Sequence, residues 1–439
     1  MEKLKVVDPE IASLVEKEME RQVTNIELIA SANFVYESVL EGQGSVLTNK
    51  IVEGYPGKRY YAGCEYIDEI EKIAIERAKE IFGAEHANVQ PHSGVNANMA
   101  AYMALLEPGD TILGMDLQCG GHLSHGSKIS ITGKYYNGIH YKVNKETELI
   151  DYDEVKTIAL KYKPKLIIAG GSAYPRQIDW GKFKETAKKI GAYFVVDMAH
   201  ITGLVAAGVH PSPIPYADIV TGTTYKTMRG AKGGIILCKE EFAKKVDKAV
   251  FPGVQGSILL HEVLAKAITF GIAKTKEYKK YQIQVVKNAK RMADYLIKHN
   301  IRLVSGGTDT HLILVDLRSL KITGIEAENA LYSVGITVNR NRIPYDPEPP
   351  TIASGIRIGT AAITSTGFIE EDIDEISDIL VSVLRGAKKG FNKEEYRKRV
   401  LDLCIKHPLY LDSLELAELI DRKYNYSDQK DRMTCTNYE

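Results

Sequence analysis

The chain has 439 residues, more than one hydrophobic core usually encloses, so two domains are expected. Lys+Arg and Asp+Glu balance at 57 each, with 44% hydrophobic and 26% charged residues, an ordinary globular composition with no excess charge for nucleic acid or a membrane surface. The five cysteines (Cys64, Cys119, Cys238, Cys404 and Cys435) are scattered without a C-x-x-C pair, which argues against a metal site or a disulfide framework and places the expected location in the reducing cytoplasm.

At the N-terminus Met1-Glu2-Lys3-Leu4-Lys5 leads into charged sequence with no apolar leader segment, and no apolar run approaches the roughly 18 residues needed to cross a membrane. Residues 1–80 read as an arm. Ile11, Leu14, Val15, Met19 and Val23 keep helical spacing, a loop follows at Glu53-Gly54-Tyr55-Pro56-Gly57, and Ile70 to Ile81 is helical again. Over 81–280, short apolar strands alternate with helices: Thr111–Met115, Lys165–Ala169, Tyr193–Asp197 and Gly233–Leu237. Continuous apolar runs of this length suit parallel strands buried on both faces, which makes this an α/β domain around a central sheet. Over 281–412 the pattern changes. A long amphipathic helix through Val285, Ala289, Met292 and Leu296, a strand at Leu312–Val315 and a second helix through Ile373, Ile376, Leu380 and Leu384 predict a smaller α+β domain. Residues 413–439 are polar and read as a loosely held tail.

The densest chemistry lies in Asp218–Gly230, where a β-rich segment ends in small hydroxyl residues, presents Lys226 after Tyr225 and enters a glycine-rich turn. A lysine held this way can form an imine with a carbonyl. About 30 residues upstream, the strand Tyr193–Val196 delivers Asp197 and then His200. An aspartate that keeps a pyridine nitrogen protonated, with a lysine that holds an aldehyde, suits a pyridoxal phosphate site. Ser93-Gly94 opens an Ala- and Met-rich helix. Alone it is a helix cap; beside Asp197 and Lys226 it becomes a phosphate cup. His122 lies in the loop Gly120–Gly126, as an ordinary loop histidine or as a ring that stacks on a cofactor. Ser172 closes another strand in Ser172-Ala173-Tyr174-Pro175. Arg357 sits in an apolar, glycine-flanked strand, where its partner is either an internal carboxylate or a substrate carboxylate. Glu53, with Tyr60 and Tyr61 close by, is an acid/base candidate if it is not simply an exposed loop carboxylate.

Taken together, these segments resemble the serine hydroxymethyltransferase family from about residue 8 to 412. The resemblance is carried by Leu28-Ile29-Ala30-Ser31, Glu53 through Tyr61, Gln90-Pro91-His92-Ser93-Gly94, Gly120 through Gly126, Val196-Asp197-Met198-Ala199-His200 and Gly355 through Thr360. It implies a fold type I pyridoxal phosphate transferase. Its larger domain would hold a mostly parallel seven-stranded sheet, and it would form a homodimer with composite active sites, or a tetramer of such dimers. It implies that Lys226 bonds the cofactor, Asp197 pairs with its ring nitrogen and His122 stacks on the ring. Ser172 and His200 would contact the phenolic oxygen, Ser93 and Gly94 the phosphate, with Tyr225 beside the lysine. Arg357 and Ser31 would hold the substrate carboxylate. Glu53, Tyr60 and Tyr61 would come from the neighbouring subunit, Glu53 moving a proton. The implied activity passes a one-carbon unit from serine to tetrahydrofolate and leaves glycine.

This sequence departs from the family pattern at several positions that line the implied site. Ile51 and Val95 stand where phosphate donors are usual, a loss of about 1 kcal/mol each in phosphate binding. Ala32, Gln118-Cys119, Gly222, Tyr225, Ser257-Ile258, Arg342 and Thr351 also differ. The amino-acid end (Ser31, Arg357, Lys226, Asp197 and His122) is intact, and the folate end is altered. Two enzymatic readings follow: a hydroxymethyltransferase with an unusual lining, or a folate-independent paralogue doing aldol, transaldol or other pyridoxal chemistry on a bulkier or charged amino acid. A catalytically silent paralogue is a third, against which the retention of Lys226, Asp197, Glu53 and Arg357 argues.

Overall fold

In the computed structural model, residues 2–411 and 413–424 are described. A seven-stranded sheet is built from β1 (His86–Asn88), β2 (Thr111–Met115), β3 (Asn137–Tyr141), β4 (Leu166–Ala169), β5 (Tyr193–Asp197), β6 (Ile219–Thr223) and β7 (Gly234–Cys238). Its order is β1-β7-β6-β5-β4-β2-β3. Alternate residues of these strands point to opposite faces. Leu113, Ile167, Val196, Val220 and Leu237 enter one core, and Ile112, Leu166, Ile168, Val195, Ile219 and Ile236 enter another. Burial on both faces is the reason the strands read as unbroken apolar runs.

One expectation is corrected. The Gly233–Leu237 run does form a strand, β7, but it pairs antiparallel with β6 and β1, whereas β2 through β6 pair in parallel. The apolar run reports burial, not direction. The connection from β6 spans only 224–233, too short for the helical crossover that a parallel neighbour requires.

A second, antiparallel sheet consists of β8 (Arg302–Leu303), β9 (Leu312–Asp316), β10 (Asn339–Asn341) and β11 (Gly355–Gly359), in the order β8-β9-β11-β10. Its core joins Ile313, Val315, Ile356 and Ile358 to Met292 and Leu296 of the helix Lys276–Lys298, and to Ile376 and Leu380 of the helix Glu370–Gly386. Val23, Ile26 and Leu28 enter the same core, so the N-terminal arm is packed into this second unit. The arm's helix, α1 (Pro9–Thr24), is capped by Asp8, whose carboxylate accepts from Ile11 N at 3.1 Å. Its apolar stripe does not face the core: Ala12 and Val23 are buried, but Ile11, Leu14, Val15 and Met19 are exposed.

Two further differences concern loops and the tail. The expected loop at 53–57 contains one arm of a small hairpin, with Gly54–Tyr55 paired antiparallel to Lys58–Arg59. Gly54 (φ +88°) and Gly57 (φ +76°) take backbone angles that favour glycine. Residues 413–424, read as loose tail, form a helix with Leu416, Ala417 and Ile420 buried. Leu416 and Ile420 join the second core. A one-turn apolar stripe is too short to stand out in a charged stretch. Residues 425–439 lie outside the described residues.

Candidate active site

The carboxyl ends of the parallel strands converge on one cleft, where ligands of open α/β sheets bind. β5 ends in Asp197, the turn after β6 carries Lys226, the loop after β2 carries His122 and the turn after β4 carries Ser172. All four line the cleft with Ser93, Gly94, His200 and Tyr225. The sequence-predicted cofactor residues therefore meet in one place.

Asp197 is held by three donors. Asn98 Nδ2 and His125 Nε2 reach its Oδ2 at 2.8 and 3.1 Å, and Ala199 N reaches its Oδ1 at 2.9 Å. Burial opposes its charge, but the hydrogen bond and charge of His125, with His122 and Asn98, hold its carboxyl well below the usual range. Lys226 is only 8% exposed, and its ε-amine has no hydrogen bond or ion pair among the described residues. Burial, reinforced by Arg357 and Lys232 and opposed by Asp197, brings its pKa down to about 8. Such an amine is a usable nucleophile near neutral pH.

Ser93 caps the helix Gly94–Leu105, accepting from Asn96 N at 3.2 Å. The N–H groups of Gly94 and Val95, in the first turn, have no intrahelical partner and line the cleft. Lys266 sets this turn in place. Its fully buried ammonium donates to the carbonyls of Val89 (2.7 Å), Pro91 (3.0 Å) and Gly234 (3.0 Å). His122 Nδ1 lies 2.7 Å from Ser124 Oγ, and burial lowers its pKa to about 4, so the ring is neutral and free to stack. His200 is buried, with its pKa pushed well down by burial, and its Nδ1 has no partner. Its ring stacks on His311 from the second unit, with centroids 5.6 Å apart.

Arg357 points from β11 into the same region. Its Nη1 donates to Ser172 O at 2.7 Å, and Nε and Nη2 share Asn339 Oδ1 at 3.3 and 3.2 Å. No internal carboxylate pairs with it among the described residues, which removes the ion-pair alternative for this arginine. Burial lowers its pKa to about 10. The arm segment that leads to Ser31 is pinned beside this strand by Gly359 N to Leu28 O (2.8 Å) and by His311 Nε2 against Ala30 O (3.1 Å).

Glu53, Tyr60 and Tyr61 are not brought to this cleft. Glu53 lies just before the hairpin and Tyr60 and Tyr61 just after it, with Tyr60 74% and Tyr61 46% exposed. Sequence reasoning missed His125, Asn98 and Asn339. His125 stands three residues after His122, and Asn98 is a buried polar residue on an Ala-rich helix face, so both left a weak signal. Asn339 faces Arg357 only through strand register.

The donor set fits pyridoxal phosphate: a nucleophilic buried lysine, a carboxylate held ionised at a strand end, unpaired N–H groups at a helix start and an orphaned imidazole nitrogen on His200. Fold and site together define a fold type I pyridoxal phosphate enzyme. The chain belongs to the serine hydroxymethyltransferase family, whose family model, described as "Serine hydroxymethyltransferase", matches residues 4–380. It is accordingly a transferase of that kind, and no helix among the described residues is long and apolar enough to cross a membrane.

Proposed function

We propose that this enzyme breaks or makes the Cα–Cβ bond of a β-hydroxy amino acid, converting serine to glycine with tetrahydrofolate as the one-carbon acceptor. The supporting observation is the approach of two cations: Arg357, hydrogen-bonded but without a carboxylate partner among the described residues, acts on Lys226, whose ε-amine has no partner among them and which lines the cleft with Asp197. The bound cofactor supplies an electron sink for the pair released when the bond breaks. Arg357 and Ser31 bind and orient the α-carboxylate. Asp197 would keep a proton on the ring nitrogen and His122 would stack against the ring, with Ser172, His200 and Tyr225 among the residues that would hold the cofactor beside Lys226. Ser93 and Gly94 bind the phosphate.

Glu53, Tyr60 and Tyr61 act in the neighbouring subunit's cleft, Glu53 moving the proton of the substrate hydroxyl. The exposure of Tyr60 and Tyr61 in the single chain supports a homodimer with shared sites, as does the uncovered stripe of α1. Pairing of such dimers into a tetramer is the remaining assembly, and the cytoplasm is the proposed location.

Glycine release from serine by the cofactor-loaded enzyme, with and without tetrahydrofolate, tests this function. Folate-dependent glycine supports it. Folate-independent turnover with cofactor bound favours the second reading, cleavage or exchange of another amino acid without folate. That reading has its own observation: Arg342 and Gln118, both departures from the family pattern, hydrogen-bond each other when the Gln118 amide oxygen faces the guanidinium.

A further inference from the structure

Ser31 stands in a short stretch of the arm that is anchored on both sides. Upstream, Leu28 O is bonded to the end of the strand that carries Arg357, and Ala30 O to His311. Downstream, the arm is fastened to the turn that carries Lys226. Asn33 Nδ2 donates to Lys226 O at 2.8 Å and to Tyr281 Oη at 2.9 Å, while Asn33 Oδ1 accepts from Phe34 N at 2.9 Å. Arg229, three residues after Lys226, donates from Nε to Phe34 O and from Nη2 to Ser365 O, both at 2.9 Å. Its guanidinium lies 4.0 Å from the centre of the Tyr36 ring and 5.1 Å from that of Tyr281, within the range at which a ring face attracts a cation. No carboxylate pairs with it among the described residues. Ser365 ends the short helix Ala361–Ser365 of the second unit, so this clasp stands where the two units join.

The backbone shows that the side chain matters at this position. Arg229 has φ +60°, a left-handed angle that favours glycine. The adjacent Gly230 does not take that angle, and it is small for another reason: a Cβ there would run into Thr269 Oγ1 and Thr224 O. The turn therefore keeps an arginine where glycine would fit with less strain. Strain retained at one residue points to a role for its side chain. Lys226 O, which accepts from Asn33, also accepts from Arg229 N at 3.1 Å, so the clasp and the lysine turn close on the same carbonyl. Neither Asn33 nor Arg229 lines the cleft. We propose that they are positioning residues, which fasten the arm to the lysine turn and set the place of Ser31 relative to Lys226. This inference rests on the reading in which Ser31 and Arg357 hold the α-carboxylate of the amino acid.

The test measures two quantities: glycine affinity, from the change in visible absorbance of the cofactor-loaded enzyme, and amide hydrogen exchange over residues 28–36. Arg229→Gly removes the clasp and suits the left-handed angle. Arg229→Lys keeps the charge and the strain, but has one ammonium for carbonyls that two guanidinium nitrogens reach. Both variants weaken glycine binding roughly tenfold or more, the scale of loss when a holding group is slightly misplaced. Both also speed exchange over residues 28–36. Ser31→Ala weakens glycine binding too, and adding Arg229→Gly to it costs little more, because Arg229 acts through Ser31. Unchanged exchange in both Arg229 variants overturns the clasp. Faster exchange with unchanged affinity leaves Arg229 as a support of the fold and overturns its positioning role, as does an effect that multiplies in full with that of Ser31→Ala. Ser31→Ala with wild-type affinity removes Ser31 from the carboxylate reading, and the exchange result alone then decides the clasp.

Discussion

Lys226 and Arg357 carry the sharpest predictions at the scale of single residues. Lys226→Ala removes both turnover and the visible absorbance of covalently held cofactor; full activity in that variant would falsify the proposed chemistry. Because its pKa is lowered to about 8, covalent capture of pyridoxal phosphate by cofactor-free protein speeds up as pH rises through about 8 and then levels off, as stopped-flow absorbance will show. The linkage has the same origin. Between about 8 and the ordinary 10.5 the unfolded chain holds a proton that the folded one has released, so this lysine makes the cofactor-free protein more stable as pH rises across that window. Arg357→Ala raises KM for the amino acid by on the order of 2–3 kcal/mol of lost pairing. An unchanged KM in steady-state kinetics would leave Arg357 with a role in the fold alone. These residues were legible because each sits at a strand end or between glycines, where local pattern marks a side chain displayed for chemistry. Their partners were less so. Asn339 is set by register and His125 by how a loop closes over β5, and neither is a local property of the chain.

At the scale of elements, the turn that leads into Ser93 and Gly94 depends on a side chain outside it. Lys266, from the helix Leu260–Ala273, ties the end of β1, the turn before Ser93 and the start of β7 through three carbonyls. Burial lowers its pKa to about 7, against the pull of Glu262 and Glu71. Lys266→Met leaves those carbonyls without their shared donor, so it should cost about 1–3 kcal/mol in urea unfolding and weaken cofactor affinity. Unfolding curves that superimpose on wild type would refute the assignment. The sequence marked the existence of the long elements well, since apolar periodicity comes directly from burial. It did not reveal the reversed direction of β7, or the helix at 413–424, whose short buried stripe is hidden among charges.

For the whole molecule, the informative surface is the one the single chain leaves uncovered. Ile11, Leu14, Val15 and Met19 form an exposed stripe on α1, and Val46, Ile51 and Tyr66 are also exposed. Apolar stripes of this kind mark association surfaces. Sedimentation equilibrium should find a dimer or a multiple of it, and Leu14→Glu with Val15→Glu should shift the mass toward the monomer with a parallel loss of turnover. A wild-type protein that sediments as an active monomer would remove the shared-site proposal.

The two ends of the chemistry are mounted on different sheets. Lys226 lies in a connection whose ends are clamped together by the pairing of Thr223 with Gly234. Arg357 belongs to the other sheet and crosses to the first through Ser172 O. A rotation of one unit against the other would then loosen the hold on the amino acid while the lysine stays in register with Asp197. Substrate exchange and cofactor retention become mechanically independent, so under the proposed function product leaves many times over while the cofactor stays in place.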